Sequence, residues 1–229
     1  MNLTDLSCVR DIMQRHGIAP QKRYGQNFLI NPTVVARIAD TCADREAGVI
    51  EIGPGIGTLT RELSPRFRKV VALEIDTSLI PVLGETLGDL DNVKVINADA
   101  MKTDLAALVK EEFDGMPVYV CANLPYYITS PIVMSLLESG GIFEAVTVMI
   151  QKEVADRFCA VAGSTDYGAI TLAVNYYSEA EKCFNVAPGN FMPPPKVTSS
   201  VIRMNIRKEP PVPVRDSENM FRIIKYAFA

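Results

Sequence analysis

The sequence predicts an α/β fold built on a mostly parallel, seven-stranded sheet whose last strand is antiparallel. Between residues 48 and 161, short apolar runs alternate with helical patterns, as in parallel sheets that helices cover on both faces. After residue 163 two predicted strands, 182–186 and 199–206, follow each other through a segment rich in Pro and Gly. Because that segment has no room for a crossover helix, the two strands are expected to be antiparallel.

Five strand–helix units make up the alternating region. The predicted strands span residues 48–53, 69–75, 93–97, 118–122 and 145–150. The helices that follow them span residues 58–66, 78–87, 105–113, 131–138 and 152–161, and further helices are predicted at 32–42 and 168–177. Five parallel units followed by an antiparallel pair are the plan of Rossmann-like class I S-adenosylmethionine-dependent methyltransferases. NAD-binding sheets usually lack the reversed strand.

Two domains are predicted. Residues 1–208 form the Rossmann-like domain, which includes a helical segment at its N-terminus. Residues 209–214 contain three prolines and indicate a linker, after which Ser217 is a suitable N-cap for a helix. That helical pattern reaches Ala229 without a stop signal, so we expect 209–229 to be the linker and first helix of a longer C-terminal helical domain.

Composition limits the possible classes of protein. Of the 229 residues, 48% are hydrophobic and 22% charged, which is typical of soluble globular chains. No apolar stretch approaches the roughly 20 residues of a membrane span, and the N-terminus lacks a signal peptide, so we expect a cytoplasmic protein. Five scattered cysteines indicate reduced thiols, and the single histidine, His16, argues against a His-based metal site. With a net charge of −4, nucleic-acid contact would depend on local basic patches.

A glycine-rich turn, Glu51-Ile52-Gly53-Pro54-Gly55-Ile56-Gly57, joins the first predicted strand to its helix. Glycines there allow the backbone to approach a ligand closely, and the free N–H groups of the helix start face it. The spacing is G-x-G-x-G rather than the G-x-G-x-x-G of dinucleotide-binding proteins. A purely structural turn is the alternative.

Two acidic residues follow the next two strands. Glu74 closes the second strand and is suited to accept hydrogen bonds from both ribose hydroxyls. Asp99 follows the third strand and can accept from an adenine amino group. Each alone is better explained as a solvent-facing carboxylate at a strand end. Together with the glycine turn they lie at the carboxyl edge of one sheet, where such folds bind ligands, and they predict an adenosine-type ligand.

The segment Asn123-Leu124-Pro125-Tyr126 follows the fourth strand and suggests the chemistry. The adenine amine is a poor nucleophile because its lone pair is delocalised into the ring. An asparagine side-chain carbonyl and a backbone carbonyl can accept its two N–H bonds and return that lone pair to nitrogen. Proline fixes the backbone, and tyrosine can stack on the base. The alternative is a polar strand end with a proline turn.

These motifs resemble those of the ribosomal RNA adenine dimethyltransferases, and most closely the enzymes that act on small-subunit RNA. The resemblance covers nearly the whole chain. It rests on the 51–57 turn, Glu74, Asp99, the 123–126 segment, Gln26-Asn27-Phe28-Leu29, Gln151-Lys152-Glu153-Val154 and Phe191-Met192-Pro193-Pro194-Pro195-Lys196-Val197. One departure is Val197-Thr198-Ser199, where the family commonly has Val-Asp-Ser.

The resemblance implies S-adenosyl-L-methionine as cofactor and assigns site residues. The implied cofactor-binding residues are Asn27, Leu29, Gly53, Gly55, Glu74, Ile75, Asp99, Ala100 and Asn123. The implied catalytic residues are Asn123, Leu124, Pro125, Tyr126 and Phe191. Among these, Phe191 would stack on the target adenine opposite Tyr126, although a core position for Phe191 is the alternative.

Basic side chains near these motifs are candidates for neutralising RNA phosphates. They are Lys22, Arg23, Lys152, Arg157 and Lys196, each of which is otherwise explained as a solvated surface charge. The implied activity is dimethylation of the N6 amine of two adjacent adenosines near the 3′ end of small-subunit ribosomal RNA. The partner would be that RNA within a pre-ribosomal particle, and the protein a monomer.

Three alternatives remain from the sequence. A noncatalytic ribosome-assembly or transcription factor could keep the fold, although the intact catalytic segment argues against it. The large-subunit enzymes that confer macrolide resistance usually have Ile where this chain has Leu124, and the triple proline 193–195 also favours the small subunit. An NAD-dependent enzyme is disfavoured by the glycine spacing.

Overall fold

The computed structural model describes residues 1–21 and 25–228, which form two β-sheets with helices around them. The strands are β1 Phe28–Leu29, β2 Asp44–Ile52, β3 Phe67–Glu74, β4 Val93–Asn97, β5 Val118–Asn123, β6 Ala145–Gln151, β7 Ser178–Val186, β8 Phe191–Met192 and β9 Ser199–Ile206. β1 and β8 form a two-stranded antiparallel ladder. The other seven strands form one sheet in the order β4-β3-β2-β5-β6-β9-β7.

The strand directions confirm the predicted sheet. β2 pairs in parallel with β3 and β5, β3 pairs in parallel with β4, and β5 with β6. β9, the last strand in the chain, runs antiparallel to both β6 and β7. This mostly parallel seven-stranded sheet with a reversed last strand is the class I methyltransferase fold.

Helices cover both faces of the large sheet. They are α1 Leu6–Arg15, α2 Pro32–Cys42, α3 Thr58–Leu63, α4 Ile80–Leu87, α5 Leu105–Glu112, α6 Thr129–Leu137, α7 Lys152–Phe158, α8 Ala169–Tyr177 and α9 Ser217–Ala227. The Asn31 side chain caps α2 by accepting the backbone N–H of Thr33 at 3.0 Å, as the Asn-Pro start signal predicts. Within the residues described, no helix is both long enough and apolar enough to cross a membrane.

Several element ends differ from the prediction by a few residues, and three of the differences have a clear physical reason. α3 is short because Pro65, which has no backbone N–H, ends the α-helical bonding and the chain continues as a 3-10 turn. β7 begins at Ser178, four residues before the predicted start. It is an edge strand whose first residues are mostly polar, so in sequence they resemble a loop. The N-cap of α9 is Asp216 rather than Ser217, since the Asp216 carboxylate accepts a first-turn backbone N–H.

Two apolar layers enclose the sheet. Alternate residues of β2 face opposite sides, so Ile50 joins the layer under α5 and α6 while Val49 joins the layer under α2 and α3. Gly48 permits the Phe113 ring to lie against the strand, since a Cβ there would be 2.1 Å from a ring carbon. Since β2, β3, β4 and β5 run in parallel, their carboxyl ends lie together, and the residues that follow these strands meet at one edge of the sheet.

Candidate functional site

A cavity of about 1060 Å³, counting its open mouth, lies at the carboxyl ends of β2, β3, β4 and β5. The β1–β8 ladder contributes its Phe28 and Leu29 to one wall. Every residue that the resemblance assigns to the cofactor lines this cavity: Asn27, Leu29, Gly53, Gly55, Glu74, Ile75, Asp99, Ala100 and Asn123. Motifs that are far apart in the sequence therefore line a single cavity in the fold.

The glycine turn after β2 forms the floor of the cavity. Gly53 has φ +71° and Gly55 has φ +61°, backbone angles that residues with a Cβ rarely adopt. A Cβ on Gly55 would lie 3.2 Å from the Phe28 ring, whereas one on Gly53 would meet nothing within 4 Å. The backbone at Gly53 is thus open to a ligand, while Gly55 packs against the cavity wall.

The Glu74 carboxylate holds the turn in place. It is 4% exposed and accepts the backbone N–H of Gly55 at 3.2 Å and that of Asp76 at 2.8 Å. Burial raises the pKa of Glu74, and these two hydrogen bonds oppose that rise. Because each carboxylate oxygen has a further lone pair, Glu74 can still accept two ribose hydroxyls.

Glu51 also lines the cavity, although neither the glycine-turn motif nor the resemblance indicated a role for it. It is 1% exposed, and its Oε2 has no hydrogen-bond partner in the described part of the chain. Desolvation, followed by the charge of Glu74, raises the pKa of Glu51 to about 8. A carboxylate within the apolar run Val49–Ile52 was the signal available in the sequence, since buried acids without partners are rare.

Asp99 lies beyond β4 at the same edge of the sheet. Its Oδ1 accepts the backbone N–H of Met101 at 3.0 Å, and Lys102 Nζ is 3.7 Å from its Oδ2. The neighbouring Ile75 is 45% exposed and, with Ala100, gives this end of the cavity an apolar surface. An acceptor beside an apolar surface suits a purine ring. The buried unpartnered oxygen of Glu51 and the open glycine backbone likewise fit a polar, adenosine-type ligand.

Asn123 ends β5 and faces the cavity. Its Nδ2 donates to the backbone carbonyl of Asn27 at 3.2 Å, and Asn27 Nδ2 donates in turn to the Gly25 carbonyl at 3.0 Å. The amide of Asn123 is therefore oriented by the N-terminal segment, which leaves its Oδ1 available as an acceptor.

The residues after Asn123 divide between the core and the cavity. The Leu124 side chain is 2% exposed and belongs to the core, and its backbone N–H donates to Met149 at 3.1 Å. Pro125 and Tyr126 line the cavity. The Tyr126 hydroxyl shares a 2.8 Å hydrogen bond with Ser199 Oγ. The segment that departs from the family pattern thus keeps the serine that fixes Tyr126.

Phe191 does not line the cavity. It is 3% exposed, pairs with Leu29 across the β1–β8 ladder and packs in the apolar layer with Val35 and Val186. The expected base sandwich between Tyr126 and Phe191 is not assembled here, because packing in this layer covers the ring. The structure therefore adopts the alternative core position that the sequence left open for Phe191.

The candidate RNA-binding residues have different surroundings. Lys152, Arg157 and Lys196 are exposed, and Lys152 Nζ forms an ion pair with Asp156 at 2.5 Å. The backbone N–H of Lys152 donates to the backbone carbonyl of Thr198, which brings Lys152 close to the segment that contains Lys196. Lys22 and Arg23 lie outside the described residues.

Comparisons with known proteins agree with this site. Residues 19–229 match the sequence model of a family described as ribosomal RNA adenine dimethylase. The chain is 47% identical over 222 residues to the ribosomal RNA small subunit methyltransferase A of Bacillus licheniformis. The aligned region covers 96% of this chain and 76% of that protein.

Two solved structures show the same architecture at moderate identity. A dimethyladenosine transferase from Plasmodium falciparum has a TM-score of 0.76 and 28% identity over 88% of this chain and 70% of that one. The 23S rRNA methyltransferase ErmE has a TM-score of 0.74 and 33% identity over 87% of this chain and 78% of that one. From the family match and the relatives together, the chain belongs to the ribosomal RNA adenine dimethylase family.

Proposed function

We propose that this protein transfers methyl groups to the N6 amine of adenosine in small-subunit ribosomal RNA, two to each of two adjacent adenosines near the 3′ end. The observation that carries the proposal is the orientation of Asn123. Its N–H is donated to Asn27, so its carbonyl oxygen is left to accept from an amine in the cavity. The small-subunit relatives support the choice of RNA.

The second acceptor for the amine is the backbone carbonyl of Leu124. The Pro125 carbonyl is already used, since it accepts from Thr129 Oγ1 at 3.1 Å. Among the hydrogen bonds between described residues, none is donated to the Leu124 carbonyl. Two carbonyls that accept both N–H bonds draw the lone pair onto nitrogen and aim it at the methyl donor. No strong general base is needed, because the nitrogen becomes acidic as it is methylated.

We infer that the methyl donor is S-adenosyl-L-methionine, which supplies an electrophilic methyl group on its sulfonium. Gly53 would approach the methionine part, Glu74 the ribose hydroxyls, and Asp99 the adenine amine between the apolar side chains of Ile75 and Ala100. Asn27 and Leu29 would cover the ligand. The arrangement of these residues around one cavity supports this assignment.

The RNA is expected to contact basic side chains near the sequence motifs of the site. We propose that Lys22, Arg23, Lys152, Arg157 and Lys196 neutralise phosphates of small-subunit RNA in a pre-ribosomal particle. The protein would act there as a cytoplasmic monomer.

Residues 209–229 are proposed to be a linker and the first helix of a separate helical domain, rather than part of the Rossmann-like domain 1–208. In support, α9 contains no buried residue and contacts α8 through Phe221, which packs edge-on against Tyr176 with ring centroids 5.3 Å apart. Such an attachment by few side chains is typical of a domain boundary.

The test is methyl transfer from labelled S-adenosylmethionine to under-methylated small subunits. The Asn123→Ala variant is expected to lose transfer, on the order of 100-fold or more, while it keeps its affinity for the cofactor. Asn205→Ala is the matched control. Asn205 is exposed near the end of β9 that lies opposite to Ser199, the residue that bonds Tyr126 at the cavity. Equal loss of cofactor binding and transfer in Asn123→Ala would contradict the role of Asn123.

The same assay separates the alternatives. A wild-type chain that binds small subunits without transferring methyl groups would favour a noncatalytic ribosome-assembly or transcription factor. Transfer to protein-free large-subunit RNA, but not to small subunits, would favour the large-subunit activity of its relative ErmE.

A further inference from the structure

Tyr127 is an exposed aromatic side chain at the mouth of the cavity. Among the described residues, three aromatic side chains line the cavity: Phe28, Tyr126 and Tyr127. Phe28 is 6% exposed, whereas Tyr127 is 59% exposed. A large, mostly exposed ring contributes little to the core, and beside the cavity its face is free to contact what binds there.

The local backbone fixes the direction of this ring. Tyr126–Ile128 forms a single 3-10 turn, in which successive side chains point about 120° apart. Tyr126 is directed inward by its bond to Ser199, and Ile128 packs against the core, so Tyr127 is directed outward. The turn is closed because the Ile128 backbone N–H donates to the Pro125 carbonyl at 3.3 Å.

At Gly25, the described residue that approaches the ring, the chain carries no side chain. Gly25 has φ +60°, and a Cβ there would come within 3.7 Å of Tyr127 Cδ1 and 3.4 Å of Pro125 Cβ. The backbone at Gly25 therefore passes next to the ring, and Tyr127 remains mostly exposed.

We propose that Tyr127 is a second base-binding position, which stacks on the nucleobase next to the target adenine. This inference rests on the proposed function. An adenine that enters the cavity must leave its stack, and its neighbour then loses one stacking partner. Aromatic side chains replace such partners in single-stranded RNA without regard to base identity. With two adjacent target adenosines, Tyr127 would hold one while the other lies beside Asn123.

The test uses an RNA hairpin whose loop contains 2-aminopurine next to an adenosine, because stacking on a ring quenches 2-aminopurine fluorescence. The wild-type chain and Tyr127→Phe are expected to quench it, and Tyr127→Leu is expected to lose both the quench and about 10-fold in affinity. Tyr226→Leu is the matched control, since Tyr226 is 76% exposed and does not line the cavity. Leucine keeps apolar area, so the comparison isolates the ring.

Kinetics on under-methylated small subunits give an independent readout. Tyr127→Leu is expected to raise KM for the subunit about 10-fold with kcat within 2-fold, and to leave cofactor affinity unchanged. The inference is overturned if the wild-type chain does not quench the fluorescence of a hairpin that is saturated with protein. It is also overturned if Tyr127→Leu quenches the fluorescence like wild type, or if Tyr226→Leu loses the quench to the same extent as Tyr127→Leu. Failure of the wild-type chain to transfer methyl groups would instead contradict the proposed function, while the quench still decides the role of Tyr127.

Discussion

Glu51 makes the stability of the cofactor-free protein depend on pH in a way that one substitution can reveal. The side chain is 1% exposed, and burial raises its pKa from 4.5 to about 8. Between these two values the folded protein binds a proton that the unfolded chain has released. The Glu51 contribution to the free energy of unfolding is therefore fully present below pH 4.5 and falls as pH rises to 8.

Substitution by glutamine removes this titration and keeps the shape of the side chain. A pKa near 8 instead of 4.5 corresponds to about 4 to 5 kcal/mol. The free energy of unfolding of Glu51→Gln minus that of wild type should rise by about 1.4 kcal/mol per pH unit over this range. It should then level off above pH 8.

Urea unfolding of both proteins at several pH values between 5 and 9, without cofactor, measures this difference. Glu181→Gln is the matched control, because Glu181 is exposed on β7 and its charge is already solvated. A difference between Glu51→Gln and wild type that stays constant with pH would refute the argument. It would mean that Glu51 is ionised in the fold, or is reached by solvent.

Two further substitutions test the packing around the site. Gly55→Ala should lower the free energy of unfolding by about 1 to 3 kcal/mol and weaken cofactor binding, because φ is +61° and the new Cβ would lie 3.2 Å from Phe28. Urea unfolding and calorimetric titration measure the two effects, and an unchanged stability would contradict the strain. Ser199→Ala removes the 2.8 Å partner of the Tyr126 hydroxyl, so methyl transfer should fall about 10-fold in kcat while cofactor affinity is kept. Single-turnover transfer measures this, and an unchanged rate would show that Ser199 does not position Tyr126.

Most of the large sheet and much of the cavity lining at its edge could be predicted from local sequence signals. The alternation of apolar runs and helical patterns needs only neighbouring residues, and β4 and β9 have the predicted bounds. Glu74 and Asp99 could be placed together because parallel strands end at one edge, whatever the side-chain packing. A glycine-rich turn indicates its own backbone angles, as Gly53 confirms.

The β1–β8 ladder could not be predicted in this way. Its strands have two residues each, and the pairing of Leu29 with Phe191 joins positions far apart in the chain. Two-residue strands have no periodicity to detect, so only the tertiary fold reveals the pairing. The burial of Phe191 follows from that pairing, which is why its local sequence, beside an exposed proline loop, suggested an accessible ring.

The sequence by itself determined the succession of strands and helices along the chain, the glycine turn, and the acids and asparagine at one edge of the sheet, because each depends on residues close together in the chain. Only the tertiary structure decided which side chains are fixed, exposed or desolvated. The Tyr126–Ser199 bond, the outward ring of Tyr127 and the raised pKa of Glu51 all depend on neighbours supplied by other elements. Hydrogen-bond geometry and desolvation are properties of the packed interior, and no local pattern specifies them.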